Sequence, residues 1–171
     1  MKKTITQGAI CALLAGISLM SGCGGGDQSS KTVAIKFRTY SGAVPVKAAA
    51  FRVLLPQGVS VATTASDPKV VDPAALKLSG IFSQAPFKNY TSFIQASYSA
   101  AKPAGTGRDA VRVDFVLQSK SFTNGEFLTI TGTAAPGSST AKGGFDLDEL
   151  ILGGTGGVDV TSQYKFGFSV Q

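Results

Sequence analysis

The stretch "AVRVDFVLQ", Ala110–Gln118, decides the fold class because its side chains follow a period of two. Its odd-numbered residues from Val111 to Leu117 are all apolar, whereas Arg112 and Asp114 between them are charged. Successive side chains of an extended chain point to opposite faces, so this pattern predicts a β-strand with one buried side.

The same alternation recurs along the chain in short segments separated by turn signals. These segments are "VAIKFR" (33–38), "AAAFRVLL" (48–55), "VSV" (59–61), "FIQASY" (93–98), "FLTIT" (127–131) and "YKFGFSV" (164–170). Turn signals include Pro56-Gln57-Gly58 and Thr123-Asn124-Gly125-Glu126. Single helical turns are predicted at Asp72–Leu76 and Phe145–Leu150. The pattern predicts an all-β protein, an antiparallel β-sandwich of about 8–9 strands.

The composition limits the possible functions. The chain has 171 residues, which suggests one folded domain, and it contains no His and no Trp. Without Lys2 and Lys3 there remain 14 basic and 10 acidic residues, a formal charge of +4 against +6 for the whole chain. The basic residues stand singly, without the concentrated patch that nucleic-acid binding requires, so we expect no nucleic-acid partner.

The amino terminus, residues 1–22, has the pattern of a secretory signal. Two lysines precede Ala9–Met20, an apolar core of 12 residues. This core is shorter than the roughly 20 residues that a membrane-spanning helix needs. Its length is typical of a cleaved signal peptide.

The end of this signal, Met20-Ser21-Gly22-Cys23, resembles the lipobox of bacterial lipoproteins. The resemblance implies cleavage before Cys23, lipidation of its thiol and a protein anchored to a membrane by acyl chains. It places the protein in the bacterial cell envelope. Gly24 rather than Asp after the cysteine favours the outer membrane and leaves open the periplasmic or the surface face. The alternative is an ordinary signal peptide that leaves one unpaired thiol.

Residues 23–31 form the predicted tether, and residues 32–171 form the predicted sandwich domain. Gly24–Lys31 contains no apolar residue and is rich in Gly and Ser, so it is expected to be flexible. Cys11 would leave with the signal and Cys23 would carry lipid. The domain itself would then have no disulfide and no thiolate metal site.

Two segments of the domain carry a family resemblance. "AFRVLLPQGVSV", Ala50–Val61, resembles a strand-turn-strand unit of cohesin-like domains, and "FTNGEFLTIT", Phe122–Thr131, resembles a later element of the same domains. The resemblance implies a nine-stranded jelly-roll sandwich, related in shape to some carbohydrate-binding modules. Cohesins bind dockerin domains, so it also implies a protein-binding role. The dockerin-contacting residues follow no fixed motif that would assign positions here.

The sequence provides few parts for catalysis. Without His, the Ser-His-Asp and Cys-His arrangements cannot form in their usual way. Gly153–Gly157 matches no phosphate-binding pattern and is interpreted as a turn. We therefore expect a non-enzymatic protein that needs no cofactor.

The densest acidic group is Asp146, Asp148 and Glu149. Oxygen ligands at alternate positions can hold Ca²⁺, but the segment lacks the glycine and the final glutamate of an EF-hand loop. A calcium site is therefore the second interpretation of these residues. The first is a solvated strand edge or helix start.

The aromatic-rich stretch Gly80–Phe93 interrupts the strand pattern. Phe82 and Phe93 are predicted to close one end of the sandwich, because large apolar side chains tend to be buried. Phe87 and Tyr90 flank polar residues and are the candidate binding residues. The favoured function is protein–protein binding; the alternative is binding of carbohydrate or another surface polymer, and an enzyme is the third hypothesis.

Overall fold

A computed structural model describes residues 29–83, 93–99 and 107–171 of the chain. The strands are β1 (Lys31–Tyr40), β2 (Val46–Leu54), β3 (Val59–Val61), β4 (Leu76–Leu78), β5 (Phe93–Ser99), β6 (Ala110–Val116), β7 (Gly125–Ala134), β8 (Asp146–Gly154) and β9 (Lys165–Val170). Short 3-10 turns occupy Pro73–Ala75, Gly80–Ser83, Lys142–Gly144, Thr155–Gly157 and Thr161–Gln163. None of the helices in these ranges is long and apolar enough to cross a membrane.

The strands form two antiparallel sheets that pack face to face. The five-stranded sheet has the order β3-β7-β1-β9, with β4 pairing beside β3 on the same edge of β7. The four-stranded sheet has the order β5-β6-β2-β8. The all-β sandwich expected from the sequence is confirmed at this level.

The alternation of β6 appears in the structure as the sequence predicts. Val111, Val113 and Phe115 are buried, as is Leu117 just beyond the strand, whereas Arg112 is exposed. The inward faces of both sheets meet in a core rich in phenylalanine, where the rings of Phe37 and Phe51 lie 4.8 Å apart. Each such ring removes a large apolar area from water, which is the main stabilising contribution of a domain without disulfides.

Phe82 closes one end of this core, as predicted. Its side chain is buried, and its ring lies 5.8 Å from that of Phe115 and 5.6 Å from that of Phe122. The backbone of Phe93 begins β5, but its side chain lies outside the described part of the structure. The plug is therefore confirmed for Phe82.

The helical turn predicted for Phe145–Leu150 is wrong, because Asp146–Gly154 forms β8. This strand pairs with the outer edge of β2, from Asp146 opposite Leu54 to Gly154 opposite Val46. A helical turn here would leave the backbone groups of that edge without these partners. The turn predicted after Asp72 does form over Pro73–Ala75, and the Asp72 carboxylate accepts a hydrogen bond from the Ala74 amide at 2.8 Å.

Candidate functional site

Several of the residues proposed from the sequence lie outside the described ranges. Cys23, with the signal and most of the tether, falls in residues 1–28, and Phe87 and Tyr90 fall in residues 84–92. Their roles therefore stay predictions. The acidic group Asp146, Asp148 and Glu149 lies within β8, where its surroundings can be described.

These three carboxylates face arginines. Asp146 pairs with Arg108, and Asp148 accepts two hydrogen bonds from Arg52, at 2.9 Å from Nε and 2.7 Å from Nη2. Glu149 bridges two cations, with Oε1 2.9 Å from Arg52 Nη1 and Oε2 2.9 Å from Arg112 Nη1. Within residues 29–83, 93–99 and 107–171, no group of three or more acidic side chains is arranged to hold a metal ion.

The ion pairs offset a repulsion between two arginines that the strand register places opposite each other. Arg52 of β2 lies directly opposite Arg112 of β6, and like charges at opposed positions destabilise a sheet. Asp148 flanks Arg52 from β8, and Glu149 reaches both guanidinium groups. The hydrogen bonds from Arg52 lower the pKa of the Asp148 carboxyl, although partial burial opposes the shift. The result is an ion-paired row across the four-stranded sheet.

A β-bulge brings Glu149 into this row. Between the pairs Ala50–Ile151 and Arg52–Asp148, β8 has one more residue than β2, so one residue of β8 is extra. Glu149 takes the left-handed conformation there, with φ of 54°, which non-glycine residues rarely adopt. Such conformations persist only where surrounding contacts hold them, and here two arginines hold the carboxylate.

An apolar surface lies beside the ion-paired row on the same outward face. Ile151 is 53% exposed and Val116 is 44% exposed. Between them the sheet carries small residues: Ala50 pairs with Ile151, and Ala48 pairs with both Val116 and Gly153. We call this surface, formed by Ala48, Ala50, Val116, Ile151 and Gly153, the apolar face.

Sequence reasoning missed the apolar face. Val116 occupies an outward position in the alternation of β6, where a polar residue would normally stand, and that was an available signal. Ile151 was assigned to no strand because it directly follows Phe145–Leu150, the segment that was interpreted as a helical turn. An exposed apolar patch bordered by charged residues is typical of a protein interaction site.

A shallow pocket lies on the five-stranded sheet, opposite to the sheet that carries the apolar face. It has a volume of about 240 Å³ and is lined by the side chains of Thr32, Thr131, Thr133 and Asp72, among others. Its one carboxylate, Asp72, already accepts the hydrogen bond that caps the turn at Pro73–Ala75. Acid–base hydrolysis of the glycosidase type requires a pair of carboxyl groups across a cleft, and this pocket contains one.

Comparison with known proteins adds no relative. No protein-family model matches the chain, and no curated protein and no solved structure shows detectable similarity to it.

Proposed function

We propose that this chain is a membrane-anchored lipoprotein of the bacterial envelope whose β-sandwich is a non-catalytic binding domain for a protein partner. The observation that carries the proposal is the apolar face on the four-stranded sheet. Ile151 and Val116 are large apolar side chains on outward strand positions, and the small residues between them leave the surface open. Interface centres are apolar and rims are polar, and the row of Arg52 and Arg112 supplies such a rim.

The finer fold assignment belongs to this proposal. We assign the domain to the cohesin-like jelly-roll type, supported by the nine strands found in the described residues and by their division into two antiparallel sheets. The two segments that carry the resemblance form β2, β3 and β7. A jelly roll of this kind offers flat sheet faces for binding.

The anchoring part of the proposal depends on Cys23. Its thiol would carry the acyl chains, and the glycine-rich tether would hold the domain close to an outer membrane. Cys23→Ser removes the nucleophile, so the variant should be absent from the membrane fraction or remain unprocessed. Metabolic labelling with a radioactive fatty acid, followed by membrane fractionation, measures both properties. Normal labelling and membrane retention of the variant would contradict the proposal.

The binding part is tested by placing a charge on the apolar face. Ile151→Asp should abolish capture of the partner from envelope extract, because an unpaired carboxylate would then have to be buried in the interface. Val158→Asp is the matched control, since Val158 is 62% exposed and lies in the loop after β8 rather than on the strands of this face.

The outcomes separate the protein-binding proposal from its rivals. A protein captured by the native chain and by the Val158 variant, but lost with the Ile151 variant, supports it. Capture that is equal for all three chains contradicts it. Binding to purified envelope polysaccharide that is unaffected by Ile151→Asp would instead favour the carbohydrate alternative.

A further inference from the structure

The outward face of the five-stranded sheet gathers basic residues that are far apart in the sequence. Lys36 and Arg38 come from β1, Lys77 from β4 and Lys165 from β9. We call these four residues the basic face. All four point away from the core. On β1 the alternate residues Val33, Ile35 and Phe37 are buried, so Lys36 and Arg38 face outward. Lys77 and Lys165 share this face because they pair in register with outward-facing residues of the neighbouring strands.

The register places these cations near one another. Lys36 and Lys77 both lie opposite Thr129, so two strand spacings, about 10 Å, separate their backbones. Lys165 lies opposite Tyr40, whose ring is 5.0 Å from the Arg38 guanidinium carbon. At physiological ionic strength the Debye length is about 8 Å, slightly less than the separation of Lys36 and Lys77, so repulsion between these two cations is largely screened, while each still attracts an anionic surface that lies within that distance.

The cations of the basic face have no ion-pair partner among residues 29–83, 93–99 and 107–171. The arginines of the opposite sheet pair with carboxylates, but none of these four cations forms an ion pair with another described residue. Glu126 lies opposite Arg38 in register, and Asp72 lines the pocket on the outward surface of the same sheet, so two carboxylates stand against the four cations. On β9 the residues opposite Lys36 and Arg38 are Ser169 and Gly167, so the surface beside these two cations carries no large apolar side chain from that strand.

We propose that the basic face docks on the anionic head groups of a lipid bilayer. Its charge is complementary to such a surface. Position favours this partner as well, because the chain enters the domain at Lys31, the first residue of β1 in this same sheet. With Cys23 lipidated as proposed, the seven Gly- and Ser-rich residues from Gly24 to Ser30 would reach about 15 Å and keep the domain close to the membrane.

Docking through the basic face would orient the domain. The five-stranded sheet would lie against the head groups, and the four-stranded sheet, with its apolar face, would point away from the membrane toward a partner. Docking concerns the other sheet and a different ligand from the proposed function, and only its positional support rests on the proposed lipid anchor at Cys23.

The test measures vesicle binding without the lipid anchor, so its outcome is independent of acylation. The full chain carrying Cys23→Ser is floated with vesicles of phosphatidylglycerol and phosphatidylcholine, and with vesicles of phosphatidylcholine alone. Binding should require the anionic lipid. It should be suppressed in 0.5 M salt, about three times physiological ionic strength, because salt screens the attraction between exposed charges. The triple substitution K36Q/K77Q/K165Q should weaken binding about a hundredfold, because each cation near an anionic surface contributes about fivefold.

A second triple substitution, K47Q/K69Q/K120Q, is the matched control. It removes the same number of charges from positions outside the basic face and should weaken binding to the anionic vesicles much less. Both triple variants should have the melting temperature of the native chain, which would exclude a disturbed fold as the cause of weaker binding.

Three results would overturn the proposal. They are equal binding to both kinds of vesicle, equal losses for the two triple variants, and binding to a soluble acidic polysaccharide that depends on the three lysines of the basic face while binding to vesicles does not. The last result would assign the basic face to an acidic polymer.

Discussion

The bulge at Glu149 allows the backbone conformation to be tested separately from the ion pairs. Glu149→Ala and Glu149→Gly both remove the carboxylate that bridges Arg52 and Arg112. The two variants therefore lose the same ion pairs. They differ in how well residue 149 tolerates a φ of 54°.

The expected difference follows from the backbone alone. A left-handed conformation costs an alanine about 1–2 kcal/mol, and glycine adopts it without that steric cost. Glycine loses more conformational freedom on folding, by about 0.5–1 kcal/mol, which offsets part of the advantage. We expect the glycine variant to be more stable than the alanine variant by about 1 kcal/mol.

Urea denaturation followed by circular dichroism measures this difference. With a denaturant slope of about 2 kcal/mol per molar, the midpoints of the two variants should differ by about 0.5 M. Equal midpoints, or a higher midpoint for the alanine variant, would refute the left-handed bulge. Glu149→Gln serves as the charge control: it keeps the side-chain shape and leaves the two arginines opposed, so its stability deficit should shrink as salt screens their repulsion.

Three further predictions concern turns and titration. Gly80→Ala should destabilise the fold by about 1–3 kcal/mol more than Gly137→Ala. Both glycines have a positive φ, but a Cβ at Gly80 would lie 2.3 Å from a backbone oxygen, whereas a Cβ at Gly137 would meet nothing within 4 Å. Equal urea midpoints for the two variants would contradict this. The pKa of Asp148 is lowered in the fold, so its stabilising contribution is present above the ordinary carboxyl pKa of about 4 and is lost as pH falls below it. The stability gap between the native chain and Arg52→Gln should therefore narrow in urea titrations below that pH, and a constant gap would count against the pairing. Burial raises the pKa of Tyr98, and a hydrogen bond to a carboxylate raises it further. The stability that its neutral phenol provides should therefore be lost as pH rises above about 10. The free energy of unfolding of Tyr98→Phe should fall less steeply than that of the native chain over this alkaline range.

Local alternation was sufficient to predict most of the fold. The strands around Phe51, Phe115 and Phe166 were located because burial of one sheet face requires a period of two, which is visible in any single segment. The segment at β8 was not located, because the alternation of "FDLDEL" runs only from Phe145 to Asp148 and is interrupted at Glu149, where the bulge lies. Its identity as a strand depends on the free edge of β2, which is about 100 residues away in the sequence and has no local signature.

The candidate sites show the same division. Cys23 was proposed from four adjacent residues, since the peptidase that cleaves a signal peptide recognises a short linear segment. The carboxylates of β8 were noticed as a group, but their pairing with Arg52 and Arg112 comes from the register of three strands. From the sequence a calcium site was the second interpretation of these carboxylates, because spacing does not reveal which cation lies opposite.

The sequence by itself determined that this protein forms a β-sandwich with a phenylalanine-rich core, because alternation and burial are properties of single segments. Only the tertiary structure decided what the two outer faces carry. Basic residues that stand singly in the chain converge on one sheet, and Val116 and Ile151 converge on the other. Strand pairing is a long-range choice, so the composition of each outer face cannot be read from the order of residues along the chain.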